Sequence, residues 1–135
     1  MEKSKLFITI QKESDNYQCS LDEDGEKNKK IGSGSIIGYN PAKTSSPHDG
    51  KRNPIYGLAH ELGHAYDAMR GMINDTKVPV FKKNSPEGFE IPFSDIRAVR
   101  FENKVRPYTN QRTTYDGCDL TPYNVIMKDK KGMGK

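Results

Sequence analysis

With 135 residues, the chain has room for one domain and one modest core, because domains commonly run to about 100–150 residues. Its 33% hydrophobic and 30% charged residues, lack of Trp and mean hydropathy of -0.89 predict a small core with long irregular stretches. A formal charge of +4 with scattered Lys and Arg is too mild to indicate nucleic-acid binding. No apolar run approaches the roughly 20 residues of a membrane helix, and MEKSKLFITIQKE lacks a signal peptide's apolar segment, so a soluble chain is expected, with the compartment left open.

In chain order, KLFITIQ alternates weakly and is rich in β-branched and aromatic residues, which predicts a strand, with YQCSL pairing to it across the polar SDN turn. The charged turn DEDGEKNKK follows, then GSGSIIGYNP, read as another strand ending at Pro41. Residues 41–53 hold nearly every turn former and predict an exposed loop. A helix over 54–70 is punctuated by Asn53 as N-cap, Pro54 at the first helical position and Gly71 past the end. Ile55, Leu58, Ala59, Leu62, Ala65, Tyr66 and Met69 recur at three- and four-residue steps as its apolar stripe.

Beyond it, MINDTKVPVFKKNSPEGFEIP predicts a loop with a short strand at Val78 to Phe81. A second helix is expected from Ser94, whose hydroxyl would cap it, to Pro107, with Ile96, Val99 and Val105 as its stripe. The remainder has turn chemistry and one apolar run, Val125 to Met127. The expected organisation is one domain over 1–128 and a flexible basic tail over 129–135. Cys19 and Cys118 lie outside metal-type spacing and are too few for a disulfide framework, although the sequence leaves one bridge between them open.

The chemistry concentrates in GLAHELGHAYD, Gly57 to Asp67. Four residues make slightly more than one helical turn, so His60 and His64 project from one side and can share one ion. Glu61, about 100° further round, stays off that ion yet flanks it. A carboxylate there can take a proton from an attacking water and later pass it to a leaving amine, while zinc lowers the water's pKa and polarises a carbonyl. Asp67, one turn past His64, either orients an imidazole or solvates the helix face.

Catalytic zinc usually has a third protein ligand. His48 precedes the helix, and Glu87, Glu90, Asp95 and Glu102 follow it. Asp95 and Glu102 share a face of the second helix, so the residues alone leave the choice between these two open.

GLAHELGHAYDAMRG, DIRAVRFENKVR and RTTY together resemble the NleD-like metallopeptidases, a zincin group that includes type III secretion effectors and C-terminal domains of Rhs-type polymorphic toxins. The resemblance runs from Ile36 to Tyr115. It implies an α+β minimal zincin: a small mixed sheet packed on the HExxH helix, with a second helix bringing the third ligand. It also implies Asp95 as that ligand, in a position where such proteins usually carry glutamate, and Tyr115 with Arg112 at the oxyanion. The expected function is thus a zinc-dependent endopeptidase, a bacterial toxin or effector domain. Zn2+ would be held by His60, His64 and Asp95, a protein or peptide would be its substrate, and an inhibitory immunity or neighbouring domain a further partner. In such enzymes a sheet edge often holds the substrate, and GSGSIIGYNP is the expected edge. The rival is a zinc-stabilised binding module without hydrolytic activity, which has no need of Glu61.

Overall fold

The computed structural model describes residues 6–46 and 50–127. The basic tail and His48 therefore lie outside the described residues. A first sheet contains β1 (Ile8–Lys12), β2 (Tyr17–Ser20) and β3 (Ser35–Tyr39) in the order β1-β3-β2. β1 runs parallel to β3 from Ile8 opposite Ser35, and β2 antiparallel from Tyr17 opposite Gly38.

Two expectations are corrected here. The strand in YQCSL pairs with β3, not with β1, and the GSGSIIGYNP run is the centre of the sheet, not its edge. The reason is burial. Ser35 and Ile37 are fully buried under the first helix, a place for small and apolar side chains, whereas β1 carries the exposed Thr9, Gln11 and Lys12. Gly38 is also needed there, because a Cβ on it would lie 2.2 Å from the Tyr17 ring that folds across it from β2.

The expected loop over 41–53 contains the short antiparallel pair β4 (Ser45–Ser46) and β5 (Gly50–Lys51). Helix α1 (Pro54–Met69) starts as its punctuation predicts, with the Ile55 amide donating to Asn53 Oδ1 at 3.0 Å. It ends in a Schellman turn. Gly71 takes φ +69°, its amide donates to the Ala68 carbonyl at 3.0 Å, and the Met72 amide reaches the Asp67 carbonyl at 2.7 Å.

The buried face of α1 differs from the expected stripe. Gly57, Ala59, His60, Gly63, Ala65, Asp67 and Ala68 are buried, whereas Ile55 and Tyr66 are exposed. The helix lies between β2 and β3 on one side and the second helix on the other, so small residues occupy the close approaches. A Cβ on Gly63 would stand 2.8 Å from Phe101 Cβ and 3.2 Å from Ala98 Cα, neither of which can rotate away. Gly63→Ala is therefore expected to lower the melting temperature. Alanine's helix propensity would favour it by about 1 kcal/mol, but overpacking here costs about 1–3 kcal/mol. A raised melting temperature would show that the helices part freely.

β6 (Lys77–Lys82) and β7 (Gly88–Pro92) form a hairpin longer than the single strand expected at 78–81. With β8 (Thr114–Tyr115) and β9 (Cys118–Asp119) they make an antiparallel sheet in the order β7-β6-β9-β8. Pro79 is tolerated inside β6 because its carbonyl turns from β7 to accept from the Tyr123 hydroxyl at 2.6 Å, and β9 pairs only with Phe81 and Lys82. The missing amide falls where no strand needs it. The β8–β9 turn, Asp116 at φ +48° and Gly117 at φ +82°, has two consecutive positive-φ residues, as a tight two-residue hairpin turn requires.

Helix α2 (Phe93–Val105) follows β7 directly. Ser94 is not its cap. Pro92 holds that position without a side-chain bond, and the Phe93 and Ser94 amides are satisfied by the Thr76 and Asn74 carbonyls at 2.8 and 2.9 Å. Ile96 and Val99 join Val80, Ile91, Cys118, Leu120 and Val125 in the core, as expected, but Val105 is exposed. Cys19 and Cys118 are free thiols, the first exposed and the second buried. No helix among the described residues is long and apolar enough to cross a membrane.

Candidate metal site

His60 and His64 leave α1 on one side with ring centroids 5.1 Å apart, as their four-residue spacing requires. Asp95, in the first turn of α2, meets them, with its Oδ1 3.1 Å from His64 Nε2. One donor atom from each of the three lies within 4.8 Å of the others. Ligands of a tetrahedral ion with bonds of about 2.0–2.1 Å stand about 3.3 Å apart, so a small closure suffices to hold a cation.

Glu102 is not the third member. Its carboxylate is fully buried behind the cluster, 3.2 Å from His60 Nδ1, and accepts from Arg106 Nε at 2.8 Å and Arg112 Nη1 at 3.0 Å. Burial opposes its ionisation, yet the His60 hydrogen bond and the two guanidinium charges outweigh that and hold its pKa at about 2. A permanent carboxylate beside Nδ1 leaves Nε2 as the ring atom free for a ligand role. Glu102, weighed in the sequence as a ligand, instead pairs with Arg106, and their i,i+4 spacing on one helix was a readable sign of that ion pair.

Burial lowers the pKa of His64, but the hydrogen bond to Asp95 and the charge of Glu61 raise it further than burial lowers it. Burial likewise pushes Asp95 up, while the His64 contact and the Tyr115 hydroxyl bring it below the usual carboxylate range. Tyr115 Oη donates to Asp95 Oδ2 at 3.2 Å. Burial and the Asp95 charge raise the tyrosine's pKa, so the hydroxyl keeps its proton.

Arg112 lies in the layer behind. Besides Glu102 it donates from Nε to the Thr114 carbonyl at 2.9 Å, and its guanidinium carbon lies 5.2 Å from the centre of the Tyr115 ring. Asn103 fixes this segment, accepting from the Arg112 amide at 2.7 Å and donating to the Arg112 and Val125 carbonyls at 3.0 and 2.8 Å.

Asp67 does not orient either imidazole. It is buried and accepts from Arg97 Nε and Nη2 at 2.7 and 2.9 Å, which ties α1 to α2. Glu87 pairs with Lys82 at 3.0 Å beside the β6–β7 turn, and Glu90 is exposed on β7 opposite Pro79. Neither belongs to the cluster.

The cluster opens into a cleft of about 420 Å³ lined by His60, Glu61, His64, Asp95 and Tyr115, and by Tyr17 and Gln18 of β2. β2 is a sheet edge, since only its β3 side is paired. Two neutralisable imidazoles and a carboxylate, with a further carboxylate beside them and open space in front, suit a catalytic rather than a closed structural metal site.

A model of the peptidase family M91, described as "effector protein", matches residues 2–125. No curated protein and no solved structure matches the chain.

Proposed function

The chain belongs to the M91 peptidase family of effector proteins, and from that premise we propose that it is a zinc-dependent endopeptidase. The observation that carries this reading is the convergence of His60, His64 and Asp95 on one point, with Glu61 beside it in an open cleft. These residues would hold Zn2+, which lowers the pKa of a water and polarises the scissile carbonyl. Glu61 takes the proton of the attacking water and delivers it to the leaving nitrogen. The Tyr115 hydroxyl keeps its proton and rests as a donor to Asp95; it would turn that single O–H from Asp95 to the developing oxyanion.

Arg112 contributes to that stabilisation by holding Tyr115 and Glu102 in place, and Glu102 in turn holds the His60 ring. The unpaired side of β2, with Tyr17 and Gln18 at the cleft, would take an extended substrate as an added strand, in place of the GSGSIIGYNP run expected to do so. We extend the proposal to a bacterial toxin or effector domain, of the type III or Rhs-type kind, that cleaves a target-cell protein and is restrained by an immunity or neighbouring domain. The rival zinc-stabilised binding module gives Glu61 no role and leaves the cleft without a purpose.

The test is metal removal. Purified protein is expected to carry about one zinc ion per chain, in line with a single three-ligand site, and to cleave proteins of a target-cell extract. A chelator should abolish that cleavage and added zinc restore it. Cleavage that persists in the metal-free protein would overturn the reading.

A further inference from the structure

The turn between β1 and β2 ends on Asn16, whose side chain lines the metal cleft. Its Oδ1 accepts from the Asn40 amide at 2.7 Å, which fixes the way the group faces. Nδ2 of the same group is thereby turned onto α1, where it is buried and has no hydrogen-bond partner among the described residues. A buried donor left unpaired costs about 1–3 kcal/mol, a cost that a bound acceptor removes.

Position decides which acceptor can arrive. Nδ2 packs on Gly57, where a Cβ would lie 2.4 Å from it. Gly57, His60, Glu61 and His64 follow one another at three- and four-residue steps and so share one face of α1. The donor therefore stands one turn along the helix from Glu61 and the first imidazole. Beside it is the tip of Arg52, whose Nη2 lies 3.0 Å from the same Cβ position. That long side chain, rooted in the loop before α1, can swing aside when a chain enters.

The register of β2 supplies the acceptor. The Leu21 amide donates to the Gly34 carbonyl at 2.9 Å, and hydrogen-bonded pairs alternate along an antiparallel ladder. Cys19 and Tyr17 therefore bond to β3, while Gln18 and Ser20 turn their main-chain groups to the free edge. A strand added there is held at Gln18, which lines the cleft, and passes Asn16 two residues away. What such a strand presents at every residue is a main-chain carbonyl. Resting on the peptidase reading, we propose that Asn16 is a substrate-binding residue that donates from Nδ2 to a main-chain carbonyl of the bound chain. A neutral amide makes that contact with any sequence, so it sets where the chain lies and not which side chains are chosen.

The experiment titrates the full, zinc-loaded chain by calorimetry with hydroxamates. Acetohydroxamate offers only a metal-binding group, and short alanine peptides with a hydroxamate at either end add a main chain on one side of the cleft or the other. Asn16→Asp keeps an oxygen for the Asn40 amide and removes the donor, whereas Gly57→Ala leaves Asn16 in place and displaces its nitrogen. Each variant is expected to bind one of the peptides about tenfold less tightly, the scale of one hydrogen bond. Acetohydroxamate should bind as it does to the native chain, which shows that the site is folded; if one variant does not fold, the other carries the test. Native affinity of the variants for both peptides would overturn the proposal, as would equal losses for the peptides and acetohydroxamate. A native chain that binds none of the probes would overturn the zinc reading itself, and this inference with it.

Discussion

Glu61→Gln is expected to retain its metal and lose about 10²- to 10⁴-fold in turnover, the usual contribution of a positioned proton acceptor. Glutamine has the same shape and fills the same part of the cleft, so binding and fold are preserved. Its amide cannot take a proton from water or hand one to a leaving nitrogen. Metal retention follows because Glu61 is not one of the three residues whose donor atoms converge. Metal analysis beside a cleavage assay checks both halves of this expectation. A variant as active as the native protein would remove Glu61 from the mechanism, and one that loses its metal would make Glu61 a ligand.

The second large effect separates two carboxylates that the helix period puts on one face. Asp95→Ala removes a donor atom from the cluster and is expected to release zinc. Glu102→Ala leaves all three donor atoms in place and loosens only the ring of His60, for which a loss of about 10- to 100-fold in metal affinity is typical. Stability should rank the other way. Arg106, its side chain 7% exposed, would lose the carboxylate that faces it, and removing one partner of a buried ion pair costs about 3–5 kcal/mol. Competition against a chelating dye measures the first ranking, and denaturation of the metal-free variants measures the second. If Glu102→Ala released zinc more readily than Asp95→Ala, Glu102 would become the ligand.

These variants also mark how far the sequence reaches. Helix α1 was legible nearly to the residue because its signals are local: the Asn53 side chain meets an amide two residues on, and Gly71 closes the last turn. The facing of His60 and His64, with Glu61 to one side, depends only on the pitch of that helix. The Asp116-Gly117 turn was equally local and should have announced the hairpin that carries Tyr115, but its two-residue strands are too short to show a period.

What the sequence by itself determined is therefore the helix, the pair of imidazoles and the carboxylate next to them, since each requires contacts only within a turn or two of chain. The tertiary structure alone decided the rest. It put β3 between β1 and β2, and buried the small residues of α1 where bulky ones were expected. It turned Asp67 to Arg97 and gave Glu102 to His60 and two arginines. Seven residues of helix place Asp95 and Glu102 alike. They differ only in what the packed chain brings against them: the open cleft and Tyr115 beside Asp95, and beside Glu102 a segment from residue 112 that Asn103 pins down. Such partners are distant in sequence and chosen by competition for buried space, which no local pattern records.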